Sequence, residues 1–175
     1  MKILIIFTIC VCVYFLCINN TIEHFDLLKE QVDEFFDEKL NKNYKLYPKK
    51  LDTIFVSVAS YRDDECPLTI KSLYDNAENP DKLFVGICSQ NKPGIEEEEC
   101  LPKNFKYTKN IRIKRLKHTD AKGPNFARYV CSHLWKGEEY FCQIDSHLIF
   151  KKNWDTIIKN MYKSLPEKSL LTHYP

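Results

Sequence analysis

Glycine is scarce in this sequence, and the nucleotide-binding motifs that depend on it are missing. Only four of the 175 residues are glycine, and neither G-x-G-x-x-G nor G-x-x-x-x-G-K-[ST] occurs. Without them, neither the dinucleotide-binding fingerprint nor a P-loop is available to hold phosphates. A bound phosphate must therefore be held by a metal ion or by arginine.

The sequence also lacks a strong excess of charge of either sign. Lys and Arg number 26 and Asp and Glu 24, giving a net charge of +2, which is too small to imply a polyanionic partner. Residues 103–117 form a local basic run, but Ile111, Ile113 and Leu116 alternate with its charges. We therefore expect a solvated strand face there and no nucleic-acid partner.

The eight cysteines form no C-x-x-C motif, which argues against a zinc framework. Three of them, Cys10, Cys12 and Cys17, lie in an apolar segment, where they serve as small hydrophobic residues. The others are Cys66, Cys88, Cys100, Cys131 and Cys142. Because this second group is odd in number, it allows one disulfide bond but not complete pairing within one chain.

The longest apolar run lies at the start of the chain. Residues 3–18 contain one polar side chain, Thr8, and as a helix they would span about 24 Å of a membrane. No small-x-small cleavage pattern follows this run. We interpret residues 1–18 as an uncleaved signal anchor that forms a transmembrane helix, with a cleaved signal peptide as the alternative.

Charges flanking the apolar run indicate its orientation. Lys2 precedes it, whereas the first charges after it are the acidic Glu23 and Asp26. The positive-inside rule then predicts a single-pass type II membrane protein of the ER or Golgi with a luminal body, and a cytosolic body is the alternative. Residues 19–50, which include an amphipathic helical pattern, are expected to form a stem and linker.

From residue 51 onward, apolar strand patterns alternate with helical patterns. The predicted strands are Thr53–Ala59, Leu83–Cys88, Ile111–Leu116, Tyr140–Ile144 and a short one at Leu170–Thr172. The predicted helices begin at Pro67, at a cap residue Asn125, and at Trp154. This alternation predicts an α/β fold with a mainly parallel sheet and flanking helices.

Three polar clusters follow predicted strands, where a parallel sheet binds its ligands. They are residues 60–64, residues 119–128 and the tripeptide Asp145-Ser146-His147. In the last cluster a carboxylate and an imidazole stand two residues apart, so both can point the same way. This pair suits Mn²⁺, and Mg²⁺ less well.

Several longer segments resemble a known family. They are IFVSVASYRDDECPLTIKSLYDNA, KLFVGICSQN, AKGPNFARYVCSHLWKGEEYFCQIDSHLIFKKNWD and SLLTHYP. From Asp52 to Pro175 they resemble the polypeptide α-N-acetylglucosaminyltransferases of glycosyltransferase family 60. The resemblance implies a GT-A fold, with a Rossmann-like sheet, and transfer of GlcNAc from UDP-GlcNAc to a hydroxyl group of a polypeptide acceptor with retention of configuration.

The resemblance also implies roles for particular residues. Asp145 and His147 match the metal ligands of a D-x-H form of the D-x-D motif, with Ser146 between them at the donor. The segment Ser60, Tyr61, Arg62 and Asp63 is expected at the uridine, and Arg128 near the donor phosphates. No carboxylate stands out as a catalytic nucleophile.

The length of the chain bears on this hypothesis. GT-A enzymes of this kind continue further beyond the D-x-H motif, so residues 51–175 are expected to form the nucleotide-sugar-binding part of the domain, incomplete at the C-terminus. A different class of function stays open as the alternative. The chain would then be a truncated, non-catalytic membrane-anchored remnant or interaction module of the same fold.

Overall fold

The computed structural model describes residues 47–95, 99–166 and 169–172. The chain divides into two units, residues 1–48 and 49–175. The expected anchor, residues 1–18, and nearly all of the expected stem and linker lie outside the described residues. In the part of the chain that is described, no helix has both the length and the apolar character needed to cross a membrane.

The second unit alternates strands and helices, as the sequence predicts. Its strands are β1 (Lys50–Tyr61), β2 (Leu83–Asn91), β3 (Ile111–Lys117) and β4 (Glu138–Asp145). Its helices are α1 (Cys66–Asp75), α2 (Pro124–Ser132) and α3 (Trp154–Lys163). The strands form one parallel sheet in the order β3-β2-β1-β4, which confirms the α/β class.

The core is divided between the two faces of this sheet, because side chains alternate along each strand. On one face, every second residue of β1 from Ile54 to Val58 is buried against α1 and α3. On the other face, Cys88 of β2 packs against Ala127 and Cys131 of α2. Helices thus cover both faces, as a parallel sheet requires.

β1 is longer at both ends than the sequence predicts. β1 begins at Lys50, within the expected linker, because the Lys50 N–H donates to the carbonyl of Gly137 at 2.7 Å and its ammonium group pairs with Glu138. β1 also continues through Ser60 to Tyr61, so these two residues end a strand instead of opening a loop.

Two further expectations are wrong. Asn125 does not cap α2; the cap is Gly123, whose φ of +85° glycine adopts without strain. The expected strand over residues 170–172 does not form, and Leu170 is 85% exposed. Three residues are too few to specify a strand without a partner already in place.

A disulfide bond joins Cys66, at the start of α1, to Cys100 in the segment after β2. Cys88, Cys131 and Cys142 are free thiols, the first two buried. The sequence allows one bridge among these five cysteines, and the structure contains one. Through this bridge the segment after β2 is held against the first turn of α1.

Candidate functional site

The carboxyl ends of β1 and β4 lie side by side where the strand order reverses. The chain passes from β1 to β2 and β3, then returns past β1 to β4, which places Asp145 beside Ala59. In open α/β sheets, ligands bind in the crevice at such a switch point. The structure therefore brings together the polar clusters that follow β1 and β4.

An open cleft of about 440 Å³ lies at these strand ends. It is lined by Tyr61, Arg62, Asp63, Asp64, Glu65 and His147. This volume falls in the usual range for small-molecule sites, roughly 300 to 1,000 Å³. Its walls are polar and charged, so the cleft suits a hydrophilic ligand.

Asp145 is the last residue of β4, and its side chain is 59% exposed. Arg128, in the middle of α2, reaches it with its Nη2 atom 3.1 Å from Oδ1. The Nε atom of Arg128 is buried and has no hydrogen-bond partner among the described residues. Arg128 thus connects residues 119–128, the polar cluster that follows β3, to Asp145. Its Nε–H group is a donor that is still unused.

Asp63 connects the two loops of the site. Its Oδ2 atom accepts a hydrogen bond from the Ser146 hydroxyl and lies 3.1 Å from Nδ1 of His147, while Oδ1 accepts the Glu65 N–H at 2.9 Å. Burial opposes ionisation of Asp63, but these hydrogen bonds outweigh it and lower the pKa of the carboxyl group. The hydrogen bond to Asp63 in turn raises the pKa of His147.

Two hydroxyl groups of α1, which were not predicted from the sequence, form hydrogen bonds with the loop after β4. Thr69 donates to the carbonyl of Ser146 at 2.8 Å and accepts the Leu148 N–H at 2.8 Å. Ser72, one turn later, accepts the Phe150 N–H at 2.9 Å. Their spacing beside the apolar face of α1 is a signal that could have found them, because such hydroxyls often bond backbone groups.

The other residues expected at the donor have different environments. Ser60 is fully buried, and its Oγ atom lacks a hydrogen-bond partner among the described residues. Tyr61 is 53% exposed over the cleft. Arg62 has a φ of +50°, a strained conformation for a non-glycine residue that is typical of functional sites.

The donor chemistry of the site fits a divalent cation that is shared with a ligand. Asp145 and His147 offer one carboxylate and one imidazole, a set suited to Mn²⁺. Over residues 47–95, 99–166 and 169–172, no three His, Cys, Asp or Glu side chains are grouped to hold a metal ion. A cation bound by this pair would need further oxygen ligands, such as those of a diphosphate, to reach roughly six.

The parallel sheet, its helices and this cleft define an α/β protein with a polar site at its switch point. The chain matches the family model described as Glycosyltransferase (GlcNAc) over residues 53–107 and 97–175. These matches cover more than half of the sequence, and the chain therefore belongs to the GlcNAc glycosyltransferase family. No curated protein and no solved structure matches the chain.

Proposed function

We propose that residues 51–175 form the nucleotide-sugar-binding part of a GT-A glycosyltransferase of the polypeptide α-N-acetylglucosaminyltransferase type. The reaction is transfer of GlcNAc from UDP-GlcNAc to a hydroxyl group of a polypeptide, with retention of configuration. One observation carries the proposal: at the switch point of the sheet, Asp145 lies beside Ala59 of β1 and pairs with Arg128, and His147 contacts Asp63 in the loop after β1. Family membership supplies the coarser statement that the substrates are a sugar donor and an acceptor.

In this proposal each group at the site has a role toward the donor. Asp145 and His147 hold Mn²⁺, or Mg²⁺ as the alternative, and Arg128 binds the diphosphate with Ser146 nearby. Ser60 to Asp63 lie at the uridine. When bound, the cation neutralises charge that develops on the leaving diphosphate.

The chain's own groups support that role through their placement. Arg128 is the fifth of the nine residues of α2, and its guanidinium group lies 3.1 Å from the carboxylate of Asp145, so it offers a positive charge at the carboxyl end of β4. The side chain of His147 is 60% exposed, so its ring is accessible from the cleft. These groups bind and orient the diphosphate; no residue is assigned as the nucleophile.

The cellular placement belongs to the same proposal. Residues 1–18 anchor the protein, residues 19–50 form the stem and linker, and the body lies in the lumen of the ER or Golgi as a type II membrane protein. The Cys66–Cys100 disulfide supports this placement, because such bonds persist in oxidising compartments.

The test is the melting temperature of the full chain with UDP alone, Mn²⁺ alone, and both together. We expect the largest rise with both, because the diphosphate completes the coordination of the cation, and ligand at 100 times its Kd stabilises by about 2.7 kcal/mol. Asp145→Ala should abolish the rise. No shift with both ligands present would disprove the donor site.

Turnover of UDP-GlcNAc by the same protein then separates an enzyme from a binding module. Hydrolysis or transfer by the wild-type chain, lost in Asp145→Ala, is the expected result. Thermal stabilisation without turnover would instead favour the non-catalytic alternative.

A further inference from the structure

Asp63 stands out in the cleft because protein donors already occupy both of its oxygen atoms. Oδ1 accepts the Glu65 N–H, and Oδ2 is shared by the Ser146 hydroxyl and the His147 ring. The side chain of Asp63 is 16% exposed, against 60% for His147. Three protein groups thus use most of the roughly four acceptor positions of this carboxylate, and the side chain is largely buried, so little capacity is left for direct contact with a nucleoside.

The contact with Asp63 determines which nitrogen atom of His147 is available. Nδ1 lies 3.1 Å from the carboxylate, so it carries the proton that forms this hydrogen bond. Nε2, on the other edge of the ring, then keeps its lone pair. Metal-binding histidines characteristically donate their second N–H to a carboxylate, which fixes the tautomer and the orientation of the ring.

Ser146 and Thr69 hold this arrangement from behind. Ser146 is 4% exposed, and its hydroxyl donates to the same oxygen atom of Asp63 that His147 contacts. The Ser146 carbonyl accepts the hydroxyl of Thr69, which is itself buried. A chain of hydrogen bonds therefore runs from α1 through the middle residue of the D-S-H tripeptide to Asp63.

We propose that Asp63 is a positioning residue, which orients His147 with Nε2 toward the cation instead of contacting the uridine itself. Ser146, between the two proposed ligands, orients Asp63 in the same way. This inference rests on the proposed function and changes the role expected for two of its donor residues.

The experiment compares Asp63→Asn with Asp64→Asn in the full chain. Asp64 lines the same cleft and is exposed, so its substitution removes the same charge without touching His147. Mn²⁺ affinity is measured from the free-ion electron paramagnetic resonance signal at saturating UDP. We expect about 10- to 100-fold weaker Mn²⁺ binding in Asp63→Asn and at most about threefold in Asp64→Asn.

A second readout reports the tautomer of His147 without metal. Nitrogen-15 NMR at pH 8 should show the Nδ1–H form in the wild type and a shift toward the Nε2–H form in Asp63→Asn. His147→Gln identifies the resonance. If Asp63→Asn does not fold, Ser146→Ala replaces it, with about two- to fivefold weaker Mn²⁺ binding expected from the looser carboxylate.

The outcomes separate this inference from the proposed function. Equal Mn²⁺ affinity and an unchanged tautomer in the folded variant would overturn the positioning role. Loss of UDP binding in the absence of metal would also overturn it, by showing direct contact between Asp63 and the nucleotide. A wild-type chain that binds no Mn²⁺ with UDP would overturn the proposed function as well.

Discussion

Strand β4 has a carboxylate at each end, and the two differ in burial and in the number of protein groups that bond to them. At the amino end, the Glu138 side chain is fully buried and accepts hydrogen bonds from Lys50 at 2.8 Å, Arg112 at 2.7 Å and the Lys136 N–H at 2.8 Å. At the carboxyl end, the Asp145 side chain is 59% exposed and paired with one arginine. The same strand therefore ends in a closed ionic cluster on one side and an open site on the other.

One strand thus carries Glu138, which stabilises the fold, and Asp145, which is available to a ligand. Burial disfavours the charged form of Glu138, but the hydrogen bonds from Arg112 and Lys50 outweigh it and lower its pKa to about 2. Its bonding capacity is used within the protein. Asp145 keeps capacity for a ligand, and its exposed ion pair contributes little to folding.

The largest expected effect is on the free energy of unfolding of Glu138→Gln. Removing the charge leaves Arg112 and Lys50 without their buried partner, which should cost about 3 to 5 kcal/mol. Asp145→Asn should cost less than about 1 kcal/mol. Urea denaturation of both variants at pH 7 measures the contrast, and equal losses would contradict it.

The second prediction concerns how the difference in unfolding free energy between the wild type and Glu138→Gln depends on pH. The folded-state pKa of Glu138, about 2, lies below the ordinary glutamate pKa of 4.5, so its stabilising contribution is complete above pH 4.5. The contribution is lost as the pH falls from 4.5 toward 2. The difference in unfolding free energy between wild type and Glu138→Gln should therefore shrink between pH 5 and pH 3. A difference that stays constant over this range would show that the charge is not responsible.

The disulfide bond gives the third effect, at the carboxyl end of the sheet. Replacing both Cys66 and Cys100 by alanine should cost about 2 to 4 kcal/mol, because the bond restricts the unfolded chain. Adding reductant should lower the melting temperature of the wild type and leave that of the double variant unchanged. A similar response of both proteins to reductant would assign the effect to another group.

A smaller loss of stability than that of the disulfide variant is expected from Thr69→Val. The substitution removes the hydroxyl that bonds the Ser146 carbonyl and the Leu148 N–H, and leaving these groups unsatisfied should cost about 1 to 3 kcal/mol. It should also weaken Mn²⁺ binding at saturating UDP. Thr69→Ser, which keeps the hydroxyl and loses a buried methyl group, serves as the control. It should match the wild type in metal titration and lose about 1 kcal/mol or less in urea denaturation.

Much of the fold is predictable from local patterns. The apolar runs that begin near Thr53 and Leu83 identify the two central strands because each is buried from both sides. The edge strand β3 is identified instead by the alternation of apolar and charged residues from Ile111 onward. Strand ends were less predictable, since Gln90 and Asn91 extend β2 with polar side chains whose backbone pairing depends on neighbouring strands. The prediction that Asn125 caps α2 was wrong because the positive φ of Gly123 already sets the start of this helix.

The site was predictable only in part, for a related reason. The parallel-sheet rule places Asp145 near the loop after β1, and the structure brings them together. The spacing of Thr69 and Ser72 on α1 marks their hydroxyl groups as candidates for backbone hydrogen bonds. Their partners, like those of Asp63, lie far away in sequence, so no local pattern identifies the contacts themselves. Glu138 and Asp145 lie in the same segment that resembles the family. Only the fold shows that Glu138 has a structural role and that Asp145 lies at the site.

The ion pair between Arg128 and Asp145 has a consequence for the order of binding events. A cation that binds Asp145 alone leaves the guanidinium group of Arg128 without its partner. An anion that binds Arg128 alone leaves the carboxylate of Asp145 without its partner. When cation and diphosphate arrive together, each charge exchanges one partner for another and neither is left uncompensated. In the proposed enzyme, this pair makes the affinities for metal and nucleotide rise together, and the coupling free energy is the same whichever is measured.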